Sequence, residues 1–463
     1  MLTAPEIDLV DVQSAIAKQR HFFSTGKTKS QEFRITQLQK LAEVIQNNEQ
    51  AIIDALFTDL RKPTTEALLS EVMATLNEIK YVLKHLKAWM KPQKVSTPLN
   101  LFPSSSYIYA EPLGVVLIIA PWNYPFALTL QPLVGAIAAG NCAILKPSEH
   151  TPHTSRVIAQ IINNNFEPDL IRVIEGGIET NQALLAEKFD HIFFTGGTAI
   201  GKIVMKAAAQ HLTPVTLELG GKSPCIIDSE CDLDVTARRI VWGKFFNMGQ
   251  TCVAPDYLLI QKSIKPLLVP KLIFYIKSFF GENPQQSPDL GRIVNERQFD
   301  RLVSLLKDGK ILIGGEHDRG DRYIAPTIID QISPDAAIMS EEIFGPILPI
   351  LEYDQIAEAI AYINSQPKPL ALYLFSSNRQ NQDKVIQETS YGGGCINDVI
   401  MQLGNPELPF GGVGDSGIGN YHGKASFDTF SHRKSILKKS FKLDLKLRYP
   451  PYKMSMDALK KFL

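Results

Sequence analysis

Cysteine is scarce in this chain: five among 463 residues (Cys142, Cys225, Cys231, Cys252, Cys395), with no CxxC pair. That excludes a disulfide framework, argues against structural zinc or any other metal centre, and fits a reducing, cytoplasmic compartment. Net charge is absent too, with 48 basic residues against 48 acidic, so nothing global points to nucleic acid as a partner. Long apolar runs are missing. The longest (Val115 to Ala120, Ala136 to Leu145) are strand-sized or interrupted, well short of the roughly 18 residues of a spanning helix. The first residues carry Glu6, Asp8 and Asp11 instead of a basic and then an apolar region, so no secretory leader is expected. What remains is an ordinary globular composition, 44% hydrophobic and 21% charged. Its length suggests about two to four domains.

Residues 11–90 read as helices. Leu38, Leu41, Ile45, Ile52, Ile53, Leu56 and Phe57 recur at helical spacing, as do Leu76, Ile79, Leu83 and Leu86. Pro92, Pro98, Pro103 and a run of serines then break the pattern, predicting an extended arm or loop over 91–110. From 113, short apolar runs (Gly114–Ala120, Asn141–Lys146, Ile171–Glu175, Asp190–Phe194) alternate with helical stretches (Leu128–Ala139, Thr154–Asn163, Thr180–Glu187). Such alternation predicts a parallel sheet with crossover helices. A second alternating region follows, with strands at Cys225–Ile227, Tyr257–Gln261 and Ala371–Phe375. Its helices are expected at Leu233–Phe246, Lys265–Phe279 and Glu296–Lys307. The expectation is two α/β lobes with the chemistry between them.

Cys252, in FFNMGQTCVAP, follows Glu218, in LELGGKSP, by 34 positions. A thiol and a carboxylate able to act as base are the parts needed to make and then hydrolyse a thioester, and cysteine needs only modest activation to attack a carbonyl. The oxyanion so formed needs donors, and the Asn123 amide in PWNYP and the backbone N–H of Cys252 would suit. After the strand ending at Phe194, the turn TGGTAIGK (Gly196, Gly197, Gly201) lets backbone N–H groups approach a pyrophosphate at a helix start. Its spacing is not GxGxxG. In KPSE, Lys146 can hydrogen-bond ribose hydroxyls, and Glu149 would accept from a 2′-hydroxyl while repelling a 2′-phosphate.

Each piece has a plainer alternative. A cysteine near a glycine can be a small buried residue, a glutamate before Gly-Gly a helix cap, and an asparagine between Trp and Tyr a turn former. The glycine-rich turn can be a simple connection, and KPSE a solvated one. Cys142 and Cys225 read as core, Cys231 and Cys395 lack a basic neighbour, and His150 and His153 read as solvated.

Taken in order, PWNYP, KPSE, FTGGTAIGK, LELGGKSP, GQTCVAP, EEIFGPILP and PFGGVGDSGIG, over residues 121–419, resemble the aldehyde dehydrogenase superfamily. The resemblance implies an α/β fold: a Rossmann-like cofactor lobe (1–90 and 110–217), a catalytic lobe (218–415), a bridging or oligomerisation arm (91–109 and 416–440) and a tail (441–463). It implies NAD(P)-dependent oxidation of an aldehyde to an acid through a thiohemiacetal and a thioester. Cys252 would be the nucleophile, Glu218 the general base and Asn123 the oxyanion donor. Trp122, Lys146, Glu149, Gly196, Gly197, Gly201, Glu342 and Phe344 would contact the cofactor, although by spacing alone Glu342 reads as an exposed acid beside a turn. The position of PWNYP and the ending Leu447–Tyr452 are similar to the class 3 group, which includes fatty and aromatic aldehyde dehydrogenases, is typically dimeric, and often accepts NADP as well as NAD. Medium- or long-chain, aromatic or apocarotenoid aldehydes are the expected substrates, with Tyr124, Thr251, Ile396 and Ile400 among the residues expected to shape the tunnel. Two other functions stay open: a CoA-acylating relative, against which Glu218 speaks, and a non-catalytic scaffold.

Residues 432–448 hold Arg433, Lys434, Lys438, Lys439, Lys442, Lys446 and Arg448 against Asp444 alone. Phe441, Leu443, Leu445 and Leu447 alternate with charged residues. This predicts either an edge strand with a solvated tail, or a basic amphipathic segment that touches an anionic membrane or closes the substrate mouth.

Overall fold

The structure is a computed structural model describing residues 9–444, 448–452, 455–457 and 460. Helices form first, where apolar residues return every three or four positions: α1 (Leu9–Ser24), α2 (Gln31–Asn47), α3 (Glu49–Leu60), α4 (Thr64–Ala67) and α5 (Ala74–Trp89). Leu38, Leu41, Ile45, Ile52, Leu56, Ile79, Val82 and Leu86 from this layer enter one core. Ser30 caps α2 by accepting from the Phe33 N–H. Between α4 and α5 the chain makes a π-helical turn, Leu68–Met73.

After β1 (Gln93–Val95) and β2 (Ser104–Pro112) comes the cofactor-lobe sheet. In it β3 (Val115–Ile119), β4 (Cys142–Lys146), β5 (Ile171–Val173), β6 (His191–Thr195) and β7 (Val215–Glu218) run parallel, in the spatial order β7-β6-β3-β4-β5. Every residue of β3 is buried, as a continuous β-branched and leucine run requires when helices cover both faces. Those helices are α6 (Ala127–Ala139), α7 (Pro152–Asn163), α8 (Ile178–Ala186) and α9 (Thr198–Ala209). The chain steps outward through β4 and β5, then returns to β6 on the other side of β3. The switch point between β3 and β6 is where such sheets leave a crevice at their carboxyl ends. Ile119 pairs with both Lys146 and Phe194, and Thr195 with Glu218, so PWNYP, KPSE, the glycine turn and GGK all leave the same end of the sheet.

The catalytic-lobe sheet has seven strands: β8 (Pro224–Ile227), β9 (Tyr257–Gln261), β10 (Lys310–Ile313), β13 (Thr327–Asp330), β14 (Ile347–Tyr353), β15 (Ala371–Phe375) and β16 (Gly393–Ile396). A separate pair, β11 (His317–Asp318) and β12 (Tyr323–Ile324), stands outside it. The order is β10-β13-β14-β9-β8-β15-β16, with only β10 antiparallel to its neighbour. Helix α10 (Leu233–Phe245) starts at Asp232, whose side chain accepts from the Asp234 and Val235 N–H groups.

The segment 416–440 divides between two sheets. β17 (Gly417–Ile418) pairs antiparallel with β7. The helix Gly423–Thr429 packs on α6 so closely that a Cβ on Gly135 would lie 2.7 Å from Ser426 Cβ. Only β18 (Ser431–Lys439) joins β1 and β2 in the arm sheet, in unbroken register with Ser104–Pro112. Residues 441–444, where the alternation begins, do not prolong that strand. β2 begins at Ser104, opposite Lys439, so no ladder partner remains, and Phe441–Lys442 turn away. Residues 445–447 lie outside the described residues. Among those described, no helix is long and apolar enough to cross a membrane.

Candidate active site

Three consecutive left-handed residues follow α10: Asn247, Met248 and Gly249, at φ 53°, 59° and 69°. Non-glycine residues in that region cost about 1–3 kcal/mol each, so other contacts must hold the loop. The Asn247 N–H donates to half-buried Glu66 at 3.0 Å. The Asn247 side-chain amide donates to the carbonyls of Asn123 (2.9 Å) and Gln250 (3.2 Å). Gln250, itself buried, donates to the carbonyls of Asn247 and Arg292 and accepts from the Val294 N–H. At Gly249 a Cβ would sit 2.3 Å from the Gly345 carbonyl oxygen, so only glycine fits. The loop delivers Cys252 half-buried.

Burial, reinforced by the charges of Glu342 and Glu218, pushes the Cys252 thiol far above its ordinary range, while its own N–H and that of Val253 pull it back. Glu218 ends β7, and burial lifts its carboxyl well above the usual carboxylate range. Neither Glu218 oxygen has a hydrogen-bond partner among the described residues. A buried carboxyl left unpaired is costly to a fold, and groups so perturbed concentrate at functional sites. Asn123 is buried and gives one amide N–H to the Gln250 carbonyl at 3.0 Å, leaving the second free of that bond. Next to it, the Tyr124 and Thr251 hydroxyls bond each other at 2.7 Å. The turn after β3 and the thiol loop are thereby tied across the two lobes.

On the cofactor side, Gly197 is the N-cap of α9 and provides no capping side chain. A Cβ there would meet nothing within 4 Å. Gly201 packs on Leu219, and the Gly196 N–H donates to the Glu218 carbonyl. Lys146 donates to Glu149 and to the Pro147 carbonyl, both at 2.8 Å. Burial pushes the lysine down against that pairing. Burial would raise Glu149, yet the charge and hydrogen bond of Lys146 outweigh it and hold the carboxyl below its usual range.

Glu342 is half-buried rather than exposed, its carboxylate lodged over Gly220, where a Cβ would lie 2.1 Å from Oε2. Burial, with Asp256 adding, pushes it up to about 8 against the Gly221 N–H, Lys222 and Arg301. Lys222 pins this loop through Asp256 and the Ile338 and Glu341 carbonyls, and Arg301 through the Glu342 and Ile343 carbonyls. Phe344, at φ 51°, presents its ring edge-on to Trp122 at 5.2 Å. An uncapped helix start at the switch point, with the Lys146–Glu149 pair and Glu342 around it, fits a dinucleotide: the helix end favours a pyrophosphate and the carboxylates suit ribose hydroxyls. Of the expected tunnel residues, Ile396 ends β16 half-buried and Ile400 is buried at φ 65°.

Sequence reasoning missed several supports. Lys62, Glu66, Glu71 and Gln250 all bond to the thiol loop or to the segment after β3, Gln250 by accepting from the Asn123 amide. A readable signal existed for one of them: Ala67, Glu71, Thr75, Glu78 and Val82 follow helical spacing, placing two glutamates on a buried stripe. His153, expected to be solvated, keeps its ring half-exposed but 2.8 Å from Asp59.

A parallel sheet with an open helix start, joined to a second α/β lobe at a half-buried thiol and a buried carboxyl, defines a class: the two-lobed α/β dehydrogenases. The model of the aldehyde dehydrogenase family matches residues 1–436, and the chain belongs to that family. It is 54% identical over 443 residues to 4,4'-diaponeurosporen-aldehyde dehydrogenase of Staphylococcus aureus (strain NCTC 8325 / PS 47), covering 95% of this chain and 96% of that one. To the dimeric NADP-preferring aldehyde dehydrogenase of Mus musculus it is 50% identical over 443 residues, 95% and 98% of the two chains. A solved structure, the substrate-bound state of Staphylococcus aureus AldH, matches with a TM-score of 0.95 and 52% identity, covering 97% of this chain and 99% of that one. The protein is an oxidoreductase that oxidises aldehydes to acids with NAD(P).

Proposed function

We propose that Cys252 is the nucleophile, Glu218 the general base, and Asn123 together with the Cys252 N–H the oxyanion donors. Sulfur attacks the aldehyde carbon, the thiol proton passes to Glu218, and the carbonyl electron pair moves onto oxygen, which the two N–H groups hold. Bound NAD(P)⁺ supplies the acceptor for the hydride that leaves the same carbon. Glu218, once it has released that proton to solvent, takes another from water, the resulting hydroxide adds to the thioester, and the carbon–sulfur bond breaks to release the acid and free Cys252. The observation that carries this reading is the buried, unpartnered Glu218 carboxyl within electrostatic reach of Cys252. Trp122, Lys146, Glu149, Gly196, Gly197, Gly201, Glu342 and Phe344 hold the cofactor. The test is NAD(P)H formation from decanal by the parent and by Cys252→Ser, with acid appearing in the absence of CoA. Parental speed in the serine variant, or an absolute need for CoA, would sink it.

The substrate reading is an apolar aldehyde of medium or long chain, or an apocarotenal. Its supports are the Tyr124 and Thr251 hydroxyls, which meet beside the thiol loop, and the diaponeurosporen aldehyde in the name of the Staphylococcus relative; Ile396 and Ile400 are assigned to the same tunnel. A kcat/KM panel over hexanal, decanal, hexadecanal and benzaldehyde, with NAD and NADP, decides; flat values across chain length count against it. The chain works as a cytoplasmic homodimer, its five cysteines free. The dimeric Mus musculus relative supports the pairing, which light scattering would test. Exposed Arg433, Lys434, Lys438 and Lys439 on β18, with Phe441 beyond, suit peripheral contact with an anionic membrane. Deleting 441–463 should weaken vesicle binding and slow hexadecanal more than hexanal; equal effects on the two aldehydes refute it.

A further inference from the structure

Beside the candidate site lies an ion pair that the proposed chemistry does not use. Arg61, in a left-handed conformation at the end of α3, and Pro63 turn the chain so that Lys62 points inward. Its side chain and that of Glu71 are wholly buried, 2.5 Å apart. Lys62 also donates to the Asn123 carbonyl at 3.0 Å, and its ammonium lies 4.1 Å from the centre of the Tyr124 ring. The other Glu71 oxygen accepts from the Phe126 and Ala127 N–H groups, at 3.1 and 2.8 Å. These open α6, which has no capping side chain of its own. One pair therefore grips residues 123, 124 and 126 of the segment between β3 and α6, and residue 127 at the start of α6.

Glu66 extends the grip to the thiol loop through the Asn247 N–H. The two glutamates stand five positions apart across the π turn, whose i→i+5 closure brings residues at that spacing towards one side. A buried ion pair is seldom worth more to net stability than an apolar pair of similar volume. Stability is therefore a weak reason for this one, and position a better one.

We propose that Lys62 and Glu71 are positioning residues for the oxyanion donor, holding the Asn123 backbone so that the amide N–H not bonded to Gln250 stays presented beside Cys252. The inference rests on Asn123 being that donor.

A double-mutant cycle on the single-turnover rate of nicotinamide reduction tests it. Replacing the pair together, Lys62→Met with Glu71→Gln, removes both charges at similar volume and leaves no lone buried ion. Replacing the pair by two amides, Lys62→Gln with Glu71→Gln, which keeps an acceptor for the α6 N–H groups and leaves no lone buried ion, is the second variant should the first not fold. Either should slow the step by about 10- to 100-fold, the scale of a small misplacement, with KM for NAD(P) unchanged. In an Asn123→Ala background the same change should cost less than about twofold, because groups acting as a unit are not additive. An equal cost in both backgrounds, or none in the parent, overturns the positioning role. If Asn123→Ala itself leaves the rate intact, it is the oxyanion assignment that fails.

Discussion

The side-chain amide of Asn123 lies 3.0 Å from the carbonyl oxygen of Gln250, joining the turn after β3 to the loop that carries the thiol. One of its N–H groups is thus committed to architecture, and the other takes no part in that bond. Asn123→Ala removes both at once. We predict a fall in kcat/KM of about 10²–10³, the usual cost of an oxyanion donor, with cofactor affinity by fluorescence titration unchanged. A kcat/KM within twofold of the parent would move the donor elsewhere.

Glu218→Gln preserves shape but cannot take a proton. Turnover should fall by about 10²–10⁴, the range of general-base effects, and intact-protein mass spectrometry should find an acyl adduct on Cys252. The pH dependence has a definite sign. Burial pushes both the Glu218 carboxyl and the Cys252 thiol upward, so both are held protonated and both gain their reactive form as pH rises. The parental rate should therefore climb from neutral into alkaline solution. In Glu218→Gln the part of that climb due to the carboxyl disappears, and a superimposable profile would deny Glu218 its role.

Gly197→Asp should separate stability from cofactor binding. The position is an N-cap with extended backbone and open space, so an aspartate can cap α9. Relative to glycine the gain is about a few tenths of a kcal/mol. The same carboxylate would repel a pyrophosphate at that helix end. The expected result is an unchanged or slightly higher Tm with KM for NAD(P) raised about tenfold, roughly the 1.4 kcal/mol of one decade. Unaltered cofactor affinity would place the pyrophosphate elsewhere.

Buried Glu78 accepts from the Gly423 N–H at 2.8 Å, yet burial still pushes its carboxyl from 4.5 up to about 7. Between those values the folded chain keeps a proton that the unfolded chain gives up. Stability therefore falls as pH rises across the window, at up to about 1.4 kcal/mol per pH unit, and the penalty vanishes below it. Glu78→Gln should show a flatter Tm against pH from about 5 to 7, with the two proteins diverging most at the upper end. Parallel curves would mean that Glu78 is not held protonated.

Legibility varied along the chain for physical reasons. Val115–Ile119 could be read at once, because a strand covered on both faces must be apolar throughout. The segments after β3, β4, β6 and β7 were readable as a site because parallel strands present their carboxyl ends together. The arm was harder. Residues 441–448 alternate as strictly as any strand, yet the paired strand is 431–439. Alternation says which faces a segment could have, and not whether another strand lies beside it. Glu342 misled in the opposite way: its neighbours in sequence look like a surface turn, while its cover comes from Gly220, Lys222 and Arg301.

A thiol, a carboxylate and an amide within short segments stay what they are in any fold, and the motifs that hold them, taken in order, resembled one family whose reaction the resemblance implied. Three-dimensional packing alone set how far burial shifts Glu218 and Cys252, paired Lys62 with Glu71, and laid Gly417–Ile418 against β7. These depend on contacts and solvent exclusion between segments remote in sequence, which no single stretch of residues encodes.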